Sequence, residues 1–291
     1  MAGILVQTVI VNYNSGDWLL RAVSSALECI PGPVTVVDNA SSDSSIALLR
    51  KSITDSRLNV IQNTENIGFA AANNQVLTNL DTEFVVLMNP DCELGPTVWP
   101  LISDAMLSDA TIGLAGGRIL NIDGSDQKTS KRDFPTLLQA LFRLIGLEKL
   151  FNSDFDRGKE SARRELNDSS IEFVDAISGA FMVARSSSIE GVGLLDEGYF
   201  MHCEDLDWCK RFWLSGYKVA WIGAARLVHE KGVSSQTRPV RVLWYLHRGM
   251  DRFFGKFEGR KYNFLVRGLI RSGIYLLFIP RALWAIVKKV S

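Results

Sequence analysis

A run of five apolar residues constrains the fold of this chain more than any other feature. Residues 84–88 read FVVLM, and they present no polar side chain on either face of an extended strand. Such strands are typical of the middle of a parallel sheet that helices cover on both sides. The run ends in Asn89-Pro90-Asp91, a polar turn at the sheet edge where open α/β folds bind ligands. Asn and Asp oxygens at that edge can hold a divalent cation, although such a turn can also simply end a strand.

Strand-like and helical segments alternate around this run. Apolar runs at residues 8–11, 34–37 and 58–62 precede it, and helical patterns lie between them. This alternation predicts an α/β fold, a doubly wound and mostly parallel sheet with helices on both faces, over residues 4 to about 118. No Gly-x-Gly-x-x-Gly motif follows the first run, which argues against a dinucleotide dehydrogenase.

Polar side chains follow three of the predicted strands, namely Asn12, Asp38 and Asn89. Because the carboxyl ends of parallel strands share one edge of the sheet, these residues together predict a binding site. Asp38 can accept a hydrogen bond from a base N–H, Tyr13 offers a ring for stacking, and Gly68 allows a ligand to approach the backbone closely. Each feature taken alone is equally compatible with ordinary turn chemistry.

Three carboxylates, Glu204, Asp205 and Asp207, lie within four positions of one another. On a helix Glu204 and Asp207 share a face, whereas Asp205 projects elsewhere. Crowding raises the proton affinity of at least one carboxylate, which suits a general base. Acids at the first turn of a helix also favour its dipole, so this pattern alone leaves both interpretations open. Arg211, one turn later, is interpreted as a structural partner of these acids.

The segments IVNYN, VVDNASSDSS, NTENIGFAAANN and VLMNPDCE, in this order and spacing, resemble the inverting family-two glycosyltransferases of the GT-A fold. The resemblance covers residues 4 to about 235. It is closest to the rhamnosyltransferase-like branch of bacterial O-antigen and cell-wall polysaccharide synthesis, where Asn-Pro-Asp often stands in for the more general Asp-x-Asp motif. It implies a divalent cation, Mg²⁺ or Mn²⁺, as cofactor and a nucleotide sugar as donor.

The resemblance also implies roles for individual residues. Asp205 would be the base that deprotonates the acceptor hydroxyl, and Glu204 would bind the acceptor or position the base. Asp91 would hold the cation on the diphosphate, and His229, in HEKGVS, would complete that site. The residues implied on the nucleotide-sugar side are Asn12, Tyr13, Asn14, Asp38, Asn39, Ser41, Asn66, Gly68, Phe69, Asn73 and Asn89.

The middle of the chain is less informative. Gly179 and Ala180 lie in a segment that resembles the acceptor side of the same family. Arg132 is interpreted either as a phosphate contact or as part of a solvated charge cluster. Residues 136–150 carry apolar side chains at helical spacing, which suits either the core or a membrane surface.

The C-terminal segment differs in charge from the rest of the chain. From Arg238 onward there are twelve Lys or Arg residues and two acids, a balance of +10, so the remainder carries −10 because the total is zero. Basic residues beside Leu, Ile, Phe and Trp clusters predict basic amphipathic helices on an anionic membrane surface rather than a nucleic-acid-binding arm. A helix pair packed on the core is the alternative. No uncharged stretch of roughly eighteen residues predicts a spanning helix.

The chain is thus interpreted as one GT-A domain with a nucleotide-sugar-binding half (1–118) and an acceptor-binding and catalytic half (119–235), followed by a membrane-associating tail (236–291). The resemblance implies inverting transfer, with L-rhamnose from dTDP-L-rhamnose as the favoured donor and a UDP- or GDP-sugar as the alternative. The acceptor would be a lipid-diphosphate-linked saccharide such as polyprenyl-diphosphate GlcNAc. A peripheral location at the cytoplasmic face of the inner membrane is expected, since no signal peptide or disulfide pattern is evident.

Two other classes of protein compete with this interpretation. A non-catalytic sugar-nucleotide-binding or scaffold protein is disfavoured because Asp91, Asp205 and His229 are all present. A nucleotidyltransferase is disfavoured because the first strand is followed by NYNSGD, which is not a basic, Gly-rich phosphate loop.

Overall fold

A computed structural model describes residues 5–135, 171–230 and 239–290. The strands are β1 (Val6–Asn12), β2 (Val34–Asp38), β3 (Leu58–Gln62), β4 (Phe84–Met88), β5 (Cys92–Leu94), β6 (Ile112–Leu120), β7 (Lys131–Arg132), β8 (Ile171–Phe173), β9 (Ala176–Ile177), β10 (Phe181–Arg185) and β11 (Lys218–His229). The helices are α1 (Trp18–Cys29), α2 (Ser45–Ser52), α3 (Phe69–Leu77), α4 (Val98–Ser108), α5 (Ser186–Val192), α6 (Glu204–Leu214), α7 (Pro239–Phe253) and α8 (Phe264–Val290). The apolar pattern at residues 136–150 lies outside the described residues.

The strands form a mixed sheet in the order β3-β2-β1-β4-β10-β6-β11-β5, and β8 pairs with β11 at one side. β1 to β4 pair in parallel, as the alternation of strands and helices predicts. β10 then inserts between β4 and β6 and runs antiparallel to both. The predicted parallel half is therefore confirmed for β1 to β4, and a later strand separates it from β6.

The central strand β4 is buried on both faces, as its sequence predicts. Phe84, Val86 and Met88 belong to one apolar cluster, which includes residues of α1, α2 and α4. Val85 and Leu87 belong to the opposite cluster, which includes residues of α3, α5 and α6. Burying a side chain of this size stabilises the fold by about 1.5–3 kcal/mol. This strand therefore fixes where Asn89 and Asp91 emerge from the sheet.

The long strand β11 brings distant segments of the chain to the same edge. It pairs in parallel with β6 from Lys218 to Val228, and its last residues also pair antiparallel with β5, which places His229 opposite Cys92. The register shifts between Ile222 and Arg226, where a β-bulge bends the strand. Gly117 faces this bulge so closely that a Cβ there would clash with the Ala225 carbonyl. The register of β11 is what sets His229 beside the Asn-Pro-Asp turn.

The C-terminal helices pack on the rest of the chain and on each other. Phe253 of α7 joins Tyr199 and Cys203 in a small apolar cluster. A π-helical turn (Phe254–Glu258) and a 3₁₀ turn (Gly259–Lys261) lead from α7 to α8. One side of α8 packs against α7, and another leaves large apolar side chains exposed, among them Leu265, Leu269, Leu276, Ile279, Leu283 and Trp284.

One stretch among the described residues, Phe264–Val287, is long and apolar enough to cross a membrane, judged by length and composition alone. The sequence argument required an uncharged stretch and therefore did not predict a span. One of the charges in this stretch, Arg271, pairs with Asp251 of α7 at 2.8 Å. The tail thus has a C-terminal apolar helix that is only partly covered by the rest of the chain.

Candidate active site

Asp91 and His229 meet at the edge of the sheet. The Asn-Pro-Asp turn is held in place by two backbone hydrogen bonds, from Asn89 N to Ala180 O (2.8 Å) and from Glu230 N to Asp91 O (3.0 Å). His229 Nε2 lies 3.1 Å from Asp91 Oδ1. No donor among the described residues reaches that oxygen with the alignment of a hydrogen bond, although the oxygen is buried. Asp91 is therefore a buried carboxylate whose charge is not satisfied by hydrogen bonds at Oδ1.

Gln127 determines which imidazole nitrogen of His229 carries a proton. Its amide Nε2 donates to the His229 carbonyl at 2.6 Å, so its Oε1 faces His229 Nδ1 at 3.2 Å. An amide oxygen only accepts hydrogen bonds, so Nδ1 must be the protonated nitrogen. In a neutral imidazole the Nε2 lone pair then points toward Asp91. This is the tautomer that a metal-ligating histidine adopts when its other nitrogen is held by a neighbour.

Cys92 lies beside this pair but is a poor ligand. Its sulfur donates to the Ala180 carbonyl at 3.3 Å. Burial and the neighbouring Asp91 carboxylate raise the pKa of the Cys92 thiol well above its usual value, and only the thiolate is a strong metal ligand. Asp91 and His229 are therefore the residues that fit a divalent cation. The Asp91 Oδ1 and the His229 Nε2 face each other at 3.1 Å, and with a neutral imidazole they form a pair of ligand atoms that suits a divalent cation.

The carboxylate of Asp205 is held from several directions. Its Oδ2 accepts the Gly179 N–H at 2.9 Å and forms an ion pair with Arg132, while its Oδ1 accepts the Leu206 N–H at 2.8 Å. Burial opposes ionisation, but the Arg132 charge and these N–H groups outweigh it and lower the pKa of Asp205. The side chain is consequently an ionised carboxylate at neutral pH.

Arg132 is anchored in a way that its local sequence does not reveal. It lies in β7, which pairs with β9, and its Nη2 also donates to the Ile177 carbonyl at 3.1 Å. The expectation that Arg132 belongs to a solvated charge cluster is wrong, because its guanidinium is paired with Asp205. Gly179 fits closely as well, since a Cβ there would lie 3.1 Å from the Asp205 Cβ.

Glu204 and Asp207, the other two acids, have different surroundings. Burial and the Asp205 charge raise the pKa of Glu204 well above its usual value, and its Oε2 has no hydrogen-bond partner among the described residues. Asp207 is fully buried and pairs with Arg211 (2.6 Å) and with Lys256 of the tail (2.7 Å). Asp207 is therefore a structural ion-pair partner, and Arg211 is its partner as expected.

Left-handed backbone conformations cluster at this edge of the molecule. Within the described residues, the residues other than glycine with positive φ are Asn14 (51°), Ala40 (59°), His202 (68°) and Cys203 (70°). The first two follow β1 and β2, and the last two immediately precede α6. Such conformations cost about 1–3 kcal/mol each and are concentrated at functional sites. The ends of the elements that carry the candidate site residues are therefore strained.

Asn12 and Asp38, at the ends of β1 and β2, are joined by a buried network. Asn12 Nδ2 lies 2.8 Å from Asp38 Oδ1 and 2.9 Å from Ser45 Oγ. Ser41 donates its hydroxyl to Asp38 and accepts the Asn14 N–H at 2.9 Å. Asn12 is fully buried, so its side chain braces the turn that carries Asp38. Tyr13, the next residue, is half-buried at the same edge.

The remaining residues predicted on the nucleotide side surround the start of α3. Asn39 donates to the Gly68 carbonyl at 3.1 Å, and Asn66 accepts the Gly68 N–H at 3.0 Å. Gly68 has φ 89°, and a Cβ there would lie 2.8 Å from the Phe200 carbonyl, so only glycine fits. Asn73 is fully buried and donates to the Phe69 carbonyl at 2.9 Å. These contacts shape the loop that leads into α3.

The sequence analysis missed two residues of this region. Gln127 belongs to a polar segment without a motif, and no local pattern marks it as a partner of His229. Phe200 joins the loop before α6 to the start of α3, since its carbonyl accepts the Phe69 N–H at 3.0 Å. Its ring stacks on Tyr245 of α7, with the ring centroids 4.4 Å apart. The position of Phe200 just before the Glu-Asp pair was the available signal.

Comparison with known proteins agrees with this geometry. The sequence pattern of Glycosyl transferase family 2 matches residues 8–169, more than half of the chain. N-acetylglucosaminyl-diphospho-decaprenol L-rhamnosyltransferase from Mycobacterium tuberculosis is 25% identical over 287 residues, which cover 94% of this chain and 91% of that relative.

Solved structures share the fold at low sequence identity. The mannosyltransferase PcManGT from Pyrobaculum calidifontis, in complex with GDP-Man and Mn²⁺, has a TM-score of 0.55 at 15% identity, over 99% of this chain and 76% of that protein. GalNAc-T7, solved with UDP, GalNAc and Mn²⁺, has a TM-score of 0.58 at 14% identity over 99% of this chain, which spans 58% of its length. The sheet order, the family pattern and the alignment with the mycobacterial relative agree, and the chain belongs to glycosyl transferase family 2 as an enzyme of the rhamnosyltransferase-like type with a GT-A fold.

Proposed function

We propose that this glycosyltransferase moves L-rhamnose from dTDP-L-rhamnose to a hydroxyl of a lipid-diphosphate-linked saccharide, with inversion of the anomeric carbon. The observation that carries the proposal is the buried, ionised carboxylate of Asp205 at the start of α6. The mycobacterial relative, whose name specifies a rhamnosyl transfer to a GlcNAc-diphospho-lipid, supports the choice of donor and acceptor. A UDP- or GDP-sugar is the alternative donor.

Asp205 performs the proton transfer in this proposal. The acceptor oxygen attacks the anomeric carbon while the bond from that carbon to the diphosphate breaks on the opposite side, which inverts the configuration. The hydroxyl proton passes to Asp205. Arg132 and the Gly179 N–H keep the carboxylate ionised and fixed in one orientation before the acceptor arrives. Such preorganisation places the proton acceptor at a defined position.

Glu204 has the complementary role of a neutral hydrogen-bond donor. Burial beside Asp205 raises its pKa, so the protonated acid predominates further up the pH scale than for an ordinary glutamate. A protonated carboxyl donates a hydrogen bond, and here it would donate to a hydroxyl of the acceptor sugar. Two neighbouring carboxyl groups with opposed pKa shifts thus have different roles: Asp205 is ionised and accepts a proton, and Glu204 is protonated and donates a hydrogen bond.

The donor lies along the edge formed by β1, β2 and β4. Asp38 and Asn66, with the ring of Tyr13, are the residues we assign to the nucleotide. Asp91 and His229 would hold a divalent cation, Mg²⁺ or Mn²⁺, which when bound offsets the negative charge of the departing diphosphate. Asn89 precedes them at the same turn and faces the sugar side of the diphosphate in this proposal.

We assign the tail to the cytoplasmic face of the membrane. α8 leaves Leu265, Leu269 and Leu276 between 62% and 71% exposed, and the segment from Arg238 onward carries a large excess of positive charge. Apolar side chains combined with basic ones favour binding to an anionic lipid surface. Peripheral attachment there would bring the site to a lipid-linked acceptor.

The decisive experiment is a transfer assay with polyprenyl-diphosphate GlcNAc and Mg²⁺ or Mn²⁺, in which dTDP-rhamnose competes with UDP- and GDP-sugars. We expect transfer from dTDP-rhamnose, and NMR of the product and donor should report opposite anomeric configurations. Asp205→Asn should lower the rate about a thousandfold while dTDP binding persists. Glu190→Gln, which removes an exposed carboxylate on α5, is the matched control.

The other outcomes separate the alternatives. Preferred transfer from a UDP- or GDP-sugar would replace the donor and keep the class of reaction. Nucleotide-sugar binding without turnover in any pairing would support a non-catalytic protein. Normal turnover by Asp205→Asn would move the base to another residue, with Glu204 as the next candidate.

A further inference from the structure

The tail and the catalytic domain line an open cavity that none of the steps above uses. It has a volume of about 630 Å³ and lies between the loop that contains Asp196 and the helices α7 and α8. Ligand sites in proteins commonly occupy about 300–1,000 Å³. Four cationic side chains and two carboxylates line it, namely Arg248, Arg252, Lys256, Arg271, Asp196 and Asp251.

Positive charge is in excess in this cavity. Arg252 and Lys256 both pair with the single carboxylate of Asp196, at 2.7 and 2.8 Å. Arg271 pairs with Asp251 at 2.8 Å. The four cations therefore exceed the two carboxylates by two. Lys256 also contacts Asp207, but Asp207 has Arg211 as a further partner, so counting both leaves the excess unchanged.

Arg248 is the cation of this cavity that is available to a ligand. It is exposed, and it has no ion pair or hydrogen bond among the residues that the structure describes. A guanidinium with its N–H groups free binds phosphate oxygens in a bidentate manner. Tyr275, which lines the same cavity, adds a hydroxyl that donates to Asp251 at 3.4 Å and can still accept a hydrogen bond.

The same helix carries a chemically different surface beside the cavity. Arg271 and Tyr275 of α8 line the cavity, and Ile279, four residues after Tyr275 on the same side of that helix, is 54% exposed. A ligand that joins a phosphate to an apolar chain matches both surfaces at once. We propose that this cavity binds the phosphate group of a lipid.

Two lipids have this chemistry: the diphosphate-linked acceptor and an anionic phospholipid of the membrane. The first source rests on the proposed function, whereas the second does not. The cavity is joined to the catalytic site through Lys256, whose Nζ lies 2.7 Å from Asp207 in α6, two residues after Asp205. A lipid phosphate in the cavity would therefore lie next to the helix that carries the proposed base.

Arg248→Gln in the full chain tests this inference, because Arg248 has no ion pair or hydrogen bond to lose among the residues that the structure describes. Binding is measured by sedimentation with three kinds of phosphatidylcholine vesicle: undoped, doped with a polyprenyl diphosphate, and doped with phosphatidylglycerol. Arg260→Gln is the matched control, since it removes the same charge from an exposed position on the tail outside the cavity. We expect Arg248→Gln to weaken binding to doped vesicles about tenfold, and Arg260→Gln to change it much less.

The pattern of loss identifies the source of the phosphate. A loss confined to polyprenyl-diphosphate vesicles assigns the cavity to the acceptor lipid, and a loss on both doped vesicles assigns it to lipid phosphate in general. Equal losses in both variants, or no loss in either, would overturn the proposal, because general attraction between charges would then explain the binding. No donor sugar or turnover enters this measurement, so its failure is distinct from a failure of the proposed transfer reaction.

Discussion

Asp91 and Asp205 are two buried carboxylates that differ in the hydrogen-bond and ion-pair partners that the chain provides. Asp91 exposes 7% of its surface and Asp205 exposes 8%, so burial does not distinguish them. Asp205 receives a guanidinium and two backbone N–H groups from its own chain. Asp91 Oδ1 faces the imidazole of His229 and receives no aligned donor from the described residues. The charge of Asp205 is thus compensated by groups of the chain itself, whereas Asp91 leaves an oxygen that a bound cation could compensate.

Under the proposed function, this difference gives the two carboxylates different roles. Burying an uncompensated carboxylate destabilises the fold by several kcal/mol. A cation that binds there removes this destabilisation, and its binding is correspondingly tighter. A compensated one stays ionised without a cofactor and is free to accept a proton. We therefore expect perturbations at Asp91 to act through the metal, and perturbations around Asp205 to act through the pH dependence or the geometry of catalysis.

The largest effect is expected from Asp91→Ala. Removing this ligand should abolish Mn²⁺ binding, measured by electron paramagnetic resonance, and lower the transfer rate about a thousandfold. Asp205→Asn should lower the rate comparably but leave the Mn²⁺ affinity unchanged. If Asp91→Ala kept its Mn²⁺ affinity, or Asp205→Asn lost it, the assignment of the two carboxylates would be wrong.

Arg132→Gln should produce the next largest effect, about a hundredfold in kcat/KM at neutral pH. Arg132 helps to lower the pKa of Asp205 against the effect of burial. Without it that pKa rises, so the base becomes protonated at a higher pH and the acidic limb of the pH–rate profile moves upward. Part of the lost activity should accordingly return as the pH is raised.

Lys131→Gln provides the control for Arg132→Gln. Lys131 is the neighbouring residue in β7, and it pairs with Glu172 rather than with Asp205. The Lys131→Gln variant should leave the acidic limb of the pH–rate profile in place. An identical shift in both variants would mean that the general charge of this region, and not the ion pair, sets the profile.

Gln127→Ala should act on the metal and leave the base unaffected. Loss of the amide that holds His229 Nδ1 should weaken Mn²⁺ binding about 10- to 100-fold. The rate at saturating Mn²⁺ should stay near that of the wild type, because the ligands themselves remain. Gln75→Ala removes an exposed glutamine that bonds only to Asn63 among the described residues, and it should change neither quantity. An unchanged Mn²⁺ affinity in Gln127→Ala would show that His229 needs no orientation by this residue.

Local patterns were sufficient to predict β1 to β4 and the polar residues at their ends. β4 is recognisable because its apolar side chains serve both faces, and the polar turn after it is contiguous in sequence. The partners of the two carboxylates are not recognisable in this way. Gln127 is 102 residues from His229, and Arg132 is 73 residues from Asp205. These contacts depend on the register of β11 and on the β7–β9 pair, and no local propensity encodes either pairing.

The tail shows a second reason why the sequence alone did not predict the surroundings of every side chain. Its apolar and basic residues suited both core packing and a lipid surface, and in the structure α8 has one covered face and one exposed face. Asn12 gives the same lesson on a smaller scale. Its position at a strand end predicted a place at the binding edge, but whether its side chain faces a ligand or braces Asp38 depends on how the following turn folds.

The smallest effect, and the sharpest comparison with Arg132→Gln, is expected from Gly179→Ala. The added methyl would lie 3.1 Å from the Asp205 Cβ, so the carboxylate must shift by a few tenths of an ångström. No charge changes, so the acidic limb of the pH profile should stay in place while kcat falls about tenfold through misalignment of the base. Gly191→Ala, on α5 with no atom within 4 Å of the added Cβ, should be silent. A displaced pH profile in Gly179→Ala would mean that the Gly179 N–H controls the ionisation of Asp205 as strongly as Arg132 does, and charge and geometry would then not be separable at this carboxylate.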